Sequence, residues 1–290
     1  MINFWKYRAV YFTISAVVII AGLISIFTYG YRYSIDFVGG TNLEYRFNKP
    51  VTETKLRPIL ASDKVEVIDM RDEGLNTFLI RTKAIDEQKE KTLRGDIENE
   101  TGTKITVLRT ETVGPVLGRE TMIKTLIAAT IAVVGILIYM SFAFKGWKFA
   151  VAAILALLHD ILVVLGCYSL MSKFFGAEVD TMFVTAILTS MSFSVHDTIV
   201  IFDKIREYIK SEGHGDTVSY ANRALTETLV RSANNSMTII FMLLALTLMG
   251  GTTIRFFIAS LLIGTITGTY SSPFVATPIL VWLEGMGKKK

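Results

Sequence analysis

Two carboxylates fall inside long apolar stretches of this chain, and each stands beside a histidine: His159-Asp160 and His196-Asp197. An ionised Asp is costly in hydrocarbon, so such a residue faces a bundle interior, a partner or water, and marks an ion pathway by default. Arg231 opens a later apolar stretch, at a depth its long side chain can share with Asp197. A guanidinium that approaches and leaves changes the acid's affinity for a proton, which is the chemistry of a proton-coupled switch. The competing reading is a fixed pair that pins helices together. Asp160 and His196 are further candidates for ion coupling, although a histidine next to a buried acid also serves simply as a packing or hydrogen-bonding neighbour. His159 is read that way.

No other constellation offers catalysis. The sequence lacks a GxxxxGK[ST] phosphate loop, so it cannot energise itself with a nucleotide by that route. His159, His196 and His214 lie in three separate segments, so no His-rich metal site is expected. The single cysteine, Cys167, lies within an apolar stretch and can build neither a disulfide framework nor a Cys-based metal site. No cofactor and no bond-making reaction are expected.

The elements that must position these acids are membrane helices. Hydrophobic residues make up 51% of the 290 positions and charged residues 19%. About twenty apolar residues cross the hydrocarbon core as a helix. Residues 10–29, 125–144, 149–171 and 181–202 meet this requirement. Residues 237–249 are shorter, and residues 256–283 are long, with Pro273 and Pro278 expected to bend or break the helix. At 1.5 Å per residue, Asp197 is about 8 Å from one end of its span and about 24 Å from the other. Ala186, Ser190, Ser194 and Asp197 share one narrow arc, a small and polar stripe leading to the acid. Gly264 and Gly268 form a GxxxG, a weak signal for close helix contact.

The net charge of +4 does not point to nucleic acid, because Lys and Arg cluster at the ends of apolar runs. Lys6, Arg8, Lys145, Lys148, Lys204, Arg206, Lys210, Arg223, Arg231 and residues 288–290 fall on one side; Lys173 and Arg255 flank the short loops on the other. The positive-inside rule then places both termini in the cytoplasm. The first apolar run is too long for a signal-peptide core and is expected to remain as a signal-anchor.

The chain therefore divides into residues 1–30, with the first span; residues 31–118, an outer domain; and residues 119–290, with five spans. Residues 203–231 are read as a cytoplasmic amphipathic segment whose Val218, Ala221, Leu225 and Leu229 share a side. Alternation and helical periodicity give the outer domain the order βαββαβ, a ferredoxin-like α+β arrangement. The motif DFVGGT, with Asp36, Gly39, Gly40 and Thr41, stands where the first span hands over to that domain; adjacent glycines there permit tight backbone geometry.

Four segments together resemble the SecF family, the smaller of the paired SecD and SecF subunits of bacterial protein export: DFVGGT, the VGP of residues 113–115, His159-Asp160, and SFSVHDTIVIFDKIRE of residues 192–207. The family typically has Asn where His196 stands and Arg where Lys204 stands. The resemblance implies a six-helix half-transporter of the RND superfamily with a periplasmic domain, in the cytoplasmic (inner) membrane. It implies pairing with SecD beside the SecYEG channel, and use of a proton or sodium gradient to draw a preprotein outward. It maps the coupling acid onto Asp197 and the coupling arginine onto Arg231. Rival readings are another RND-type half-transporter, or a structural assembly subunit that passes no ions.

Overall fold

The structure, a computed structural model, describes residues 3–144, 146–213 and 215–286. Lys145, His214 and residues 288–290, which carried part of the reading above, lie outside them. The elements in chain order are α1 (Arg8–Tyr29), β1 (Arg32–Tyr33), α2 (Ile35–Val38), β2 (Gly40–Phe47), α3 (Glu53–Ser62), β3 (Val67–Gly74) and β4 (Thr77–Thr82). There follow α4 (Glu87–Thr101), β5 (Ile105–Val113), α5 (Pro115–Ala143), α6 (Trp147–Phe175), β6 (Glu178–Val179), α7 (Thr181–Glu212) and α8 (Thr217–Met249). The chain ends in α9 (Thr252–Ser271), a π-helical turn (Ser272–Ala276) and α10 (Thr277–Met286). Two compact units result: Met1–Arg32 with Ala128–Lys290, and Tyr33–Ile127.

Among the described residues, six helices are long and apolar enough to cross a membrane: Phe4–Tyr29, Pro115–Ala143, Trp147–Phe175, Thr181–Glu212, Thr217–Met249 and Ile254–Gly285. Their outer sides keep large apolar residues exposed, Phe27, Phe142, Leu248 and Met249 among them. Such a surface belongs in hydrocarbon, where there is no gain from hiding it. The inner sides bury small and aromatic residues: Ala152, Ala156 and Ala224 allow close approach, while Phe202 meets Phe144 and Phe149 edge-on at 5.5 and 5.4 Å.

The amphipathic segment at 203–231, whose apolar side fits either a membrane surface or the bundle, lies against the bundle. Its described parts are the end of α7, to Glu212, and the beginning of α8, from Thr217. Ala221 and Leu225 pack with Phe202, Ile205 and Tyr208, so the apolar side that suggested a membrane-surface helix is buried in the bundle core. The last span stays helical past its prolines, and the distortion expected of them takes the form of a π turn at Pro273. Pro273 has no N–H to give to the ladder, and the chain passes through the π turn before α10 resumes.

The second unit holds a four-stranded sheet in the order β3-β4-β2-β5, with each neighbouring pair antiparallel. With α3 after β2 and α4 after β4, this is the ferredoxin-like βαββαβ arrangement. Leu43, Tyr45 and Phe47 point from β2 into a core completed by Leu56 and Leu60 of α3 and Leu93 and Ile97 of α4. A two-residue turn, Leu75-Asn76, with φ of 51° and 58°, closes the β3–β4 hairpin.

Candidate ion-coupling site in the helical bundle

Asp160 lies on α6 at 4% exposure and is the hub of a buried polar network. His159 Nδ1 is 2.9 Å from its Oδ1. Ser194 of α7 and Ser271 at the end of α9 donate to its Oδ2 at 2.5 and 2.7 Å. The other ring nitrogen of His159, Nε2, is 3.0 Å from Ser15 Oγ on α1. Ser15 reaches the Tyr270 hydroxyl at 3.4 Å, and Tyr270 donates to the Tyr11 carbonyl at 2.9 Å. The carboxyl group thus meets polar groups from three helices, α6, α7 and α9. With the Nδ1 proton turned to Asp160, Nε2 either accepts from Ser15 as a neutral ring or donates to it as an imidazolium.

The neighbouring layer continues the network. Thr198 Oγ1 and Ser272 Oγ are 2.8 Å apart, and both hydroxyls reach the Ser194 carbonyl, at 3.1 and 3.3 Å. Ser271 and Ser272 stand at the start of the π turn, and their hydroxyls reach Asp160 of α6 and the Ser194 carbonyl of α7. Helix approach makes this possible. Gly264 packs directly on Ser190, and a Cβ at Gly268 would lie 2.9 Å from that of Ser194. The GxxxG and the small polar stripe are thus two halves of one contact.

Asp197 is also buried, at 8% exposure, but its surroundings are sparser. Ser236 of α8 donates to its Oδ2 at 3.4 Å. Arg231 lies five residues before Ser236 with its side chain exposed, and no ion pair joins it to Asp197. His196 is exposed on another side of α7 from Asp197, as adjacent helix positions about 100° apart require. The structure therefore brings Asp160 together with His159 and Ser194, forms no ion pair between Arg231 and Asp197, and exposes His196 on another side of α7. Ser15, Tyr270, Ser271 and Ser272 were missed in the sequence; hydroxyls within apolar runs were the available signal. Among the described residues, no group of three His, Cys, Asp or Glu side chains could hold a metal ion.

The DFVGGT residues build a separate joint in the second unit. Gly39 has φ of +76°, and a Cβ there would stand 2.7 Å from Pro115 Cα. A Cβ on Gly118 would meet Gly39 N at 2.8 Å, and one on Gly40 would meet the Thr82 carbonyl oxygen at the same distance. Glycine is needed here for backbone-on-backbone approach, which packs DFVGGT against VGP and the first turn of α5. Thr41 is fully buried; its Oγ1 accepts from Ile85 N–H at 3.0 Å and lies 2.9 Å from Thr112 Oγ1. Burial pushes the Asp36 carboxyl above the usual carboxylate range, and Glu111 adds to the shift; Arg109, Arg81 and the Ser34 hydrogen bond oppose it.

Comparison with known proteins agrees with this architecture. Residues 94–286 match the SecD/SecF C-terminal region of protein export membrane proteins, and residues 24–51 match the SecD/SecF GG motif. The chain is 39% identical to the protein translocase subunit SecF of Thermobaculum terrenum, covering 98% of this chain and 94% of that one. Against SecF of Vibrio alginolyticus the identity is 33%, over 97% and 90%. The crystal structure of SecDF, a translocon-associated membrane protein from Thermus thermophilus, superposes with a TM-score of 0.85 at 31% identity. That match covers 98% of this chain and 39% of the SecDF chain, so the present chain spans well under half of that protein. A super-membrane-facing form of SecDF scores 0.65 at the same identity. With a family match over most of its length and SecF relatives aligned nearly end to end, the chain belongs to the SecD/SecF family of protein export membrane proteins, among its SecF translocase subunits.

Proposed function

We propose that the chain works as an accessory subunit of Sec protein export, paired with SecD, and that it uses an ion gradient to promote late preprotein movement through SecYEG. The observation that carries this reading is a pair of buried carboxylates, Asp160 and Asp197, inside a six-span bundle of the SecF family. Intramembrane acids are retained at a cost and mark ion pathways. The two acids divide the work. Asp160 has donors on both oxygens and acts as the fixed point of the bundle. Asp197 is hydrogen-bonded by Ser232 and Ser236 of α8, the latter at a long 3.4 Å, and this lighter hold suits a partner that comes and goes.

In this scheme Arg231 engages ionised Asp197 in one state and leaves it when the acid takes a proton, and the helices shift between the two. The proton or sodium ion drives only as much change as its differential affinity for those states supplies. No bond is made or broken in the chain. Both termini lie in the cytoplasm, the membrane is the inner membrane, and residues 31–118 face outward, where they work on the emerging preprotein.

The test is Asp197→Asn in a chain that still assembles with SecD, read as gradient-dependent preprotein translocation and ion conductance in vesicles. Loss of coupling with the complex intact is the expected result. Unchanged transport removes Asp197 as the carrier. Loss of assembly supports the alternative of a structural subunit, in which Asp197 is a pin.

A further inference from the structure

The direction of each hydrogen bond around His159 follows from which atoms can donate. Tyr270 Oη gives its one proton to the Tyr11 carbonyl at 2.9 Å, because a carbonyl oxygen only accepts. Ser15 Oγ lies 3.4 Å from Tyr270 Oη, so the proton in that contact comes from Ser15. A serine hydroxyl has a single proton, and Ser15 then has none left for His159. In the 3.0 Å contact between Ser15 and His159 the proton therefore belongs to Nε2. On the other side of the ring, Nδ1 is 2.9 Å from Asp160 Oδ1. A proton stands there too, since two lone pairs at that distance would repel.

With this polarity the pair holds one proton more than a neutral ring facing an ionised carboxylate. It is either imidazolium with carboxylate or neutral ring with carboxylic acid, and the two forms differ only in where one shared proton sits. Both are neutral overall, which suits a site where His159 and Asp160 are buried. The groups facing the pair carry no charge: Ser15 from α1, Ser194 from α7, and Tyr270 and Ser271 from α9, the Tyr270 ring lying 6.2 Å from the imidazole. Among the described residues no Lys or Arg joins the network, and the next acid along α7, Asp197, is three positions beyond Ser194.

We propose that His159 and Asp160 form a second proton-binding site, separate from Asp197, whose occupancy is felt at the contact between α1 and the last span. On release, Nε2 passes its proton to Ser15, Ser15 passes its own to Tyr270, and the Tyr270 proton turns from the Tyr11 carbonyl to water. Nδ1–H stays on ionised Asp160, Ser15 turns its hydroxyl to the bare Nε2, and Tyr270 loses its donor. One proton has left, the charge of the pair has fallen by one, and Ser15 and Tyr270 remain neutral. The outer members of the chain suit this: Tyr11 and Tyr270 are half-buried, and Tyr11 stands three residues after Arg8 opens α1. Tyr270 also precedes Ser271 and the π turn, and its ring packs on Phe274, which packs on Tyr11. The site involves neither Asp197 nor Arg231, so it stands or falls apart from the coupling scheme.

The test is solid-state NMR of the histidine ring nitrogens in the full chain, reconstituted in vesicles and taken from about pH 5 to pH 8. The chain has three histidines, so His196→Asn and His214→Gln leave the His159 signals alone in the spectrum. Nε2 of His159 is expected to carry a proton at the acid end and to lose it as pH rises, Nδ1 being protonated afterwards. A ring that keeps one tautomer and one charge throughout overturns the site. Asp160→Asn should leave the ring neutral over the whole range, because the carboxylate that shares the proton is gone; a titration like that of the wild type overturns the pairing. Tyr270→Phe keeps the ring and removes only the hydroxyl that accepts from Ser15. Ser15 is then free to donate to Nε2, which favours the released state, and the midpoint should fall by about 0.5–1 pH unit, the worth of one neutral hydrogen bond. A purely structural role for Tyr270 would not move the midpoint, and an unmoved midpoint overturns the link to the last span. Should Asp160→Asn fail to fold, the wild-type titration and Tyr270→Phe still decide the proposal.

Discussion

Ser194 of α7 donates to Asp160 of α6 at 2.5 Å, and its carbonyl accepts from Thr198 and Ser272. One residue thus ties the acid at the hub to the helix that carries Asp197, three positions further along. Ser194→Ala removes one of the donors to a buried carboxylate and is expected to cost about 1–3 kcal/mol. A thermal melt of the full chain in detergent reads this directly. A melt that does not move means that Ser271 and His159 suffice for Asp160.

Ser194 also forms the floor on which Gly268 rests. Gly268→Ala places a methyl group where the backbone of α7 already stands, and overpacking of this kind costs about 1–3 kcal/mol. Adding Ser194→Gly to Gly268→Ala should recover part of that packing loss, although it also removes the hydroxyl from Asp160. A double-mutant cycle on melting temperature separates the two effects: a coupling term of zero contradicts the contact.

The six spans were legible because hydrocarbon demands long apolar runs, and composition along one dimension records them. The ferredoxin-like order was legible for a similar reason, since strand alternation and helix periodicity are local patterns. The arc of Ala186, Ser190, Ser194 and Asp197 proved to be a buried face, which also told which of His196 and Asp197 points inward. The ends of α7 and α8 were not legible. Their amphipathic pattern fits a membrane surface and a bundle core equally well, and only the partners Phe202 and Ile205 decide. The partners of Asp160 were hidden for another reason: Ser271 is 111 positions away from it, and Ser15 is 144 from His159. Nothing local in a sequence announces a pairing of that separation.

The Asp36 carboxyl makes the stability of the second unit fall as pH rises out of the acid range. Its proton affinity is higher folded than unfolded, chiefly through burial. The folded form therefore binds more protons in the window between the ordinary carboxylate range and the raised value. Stability contributed by this group is present below that window and is lost as pH rises through it. Asp36→Asn should be more stable than the wild type above the window and should flatten the dependence within it. Hydrogen exchange of β2 and β5 amides against pH checks this; an unchanged slope in the variant assigns the dependence to other groups.

Leu75 takes φ of 51° in the β3–β4 turn while 88% exposed, so it bears left-handed strain without packing in return. Asn tolerates that conformation far better. Leu75→Asn is expected to stabilise the hairpin by up to about 1 kcal/mol. Slower exchange of the Thr77 and Phe78 amides is the readout, and faster exchange would contradict the turn geometry.

Arg231 separates a switch from a pin. In this structure its side chain is exposed and makes no ion pair with Asp197, so among the described residues Arg231→Met breaks no ion pair. Surface substitutions away from such contacts shift stability by less than about 0.5 kcal/mol. The variant should therefore melt like the wild type yet lose gradient-dependent transport, because the missing guanidinium can no longer engage the ionised acid in the other state. A fixed pair predicts the opposite: removing one partner of a buried ion pair costs about 3–5 kcal/mol, and transport fails only because the complex does. Measuring melting temperature and vesicle transport on the same preparation decides between them. If Arg231→Met melts several degrees lower than the wild type, the two residues are paired in the membrane and Asp197 is held rather than free to bind and release.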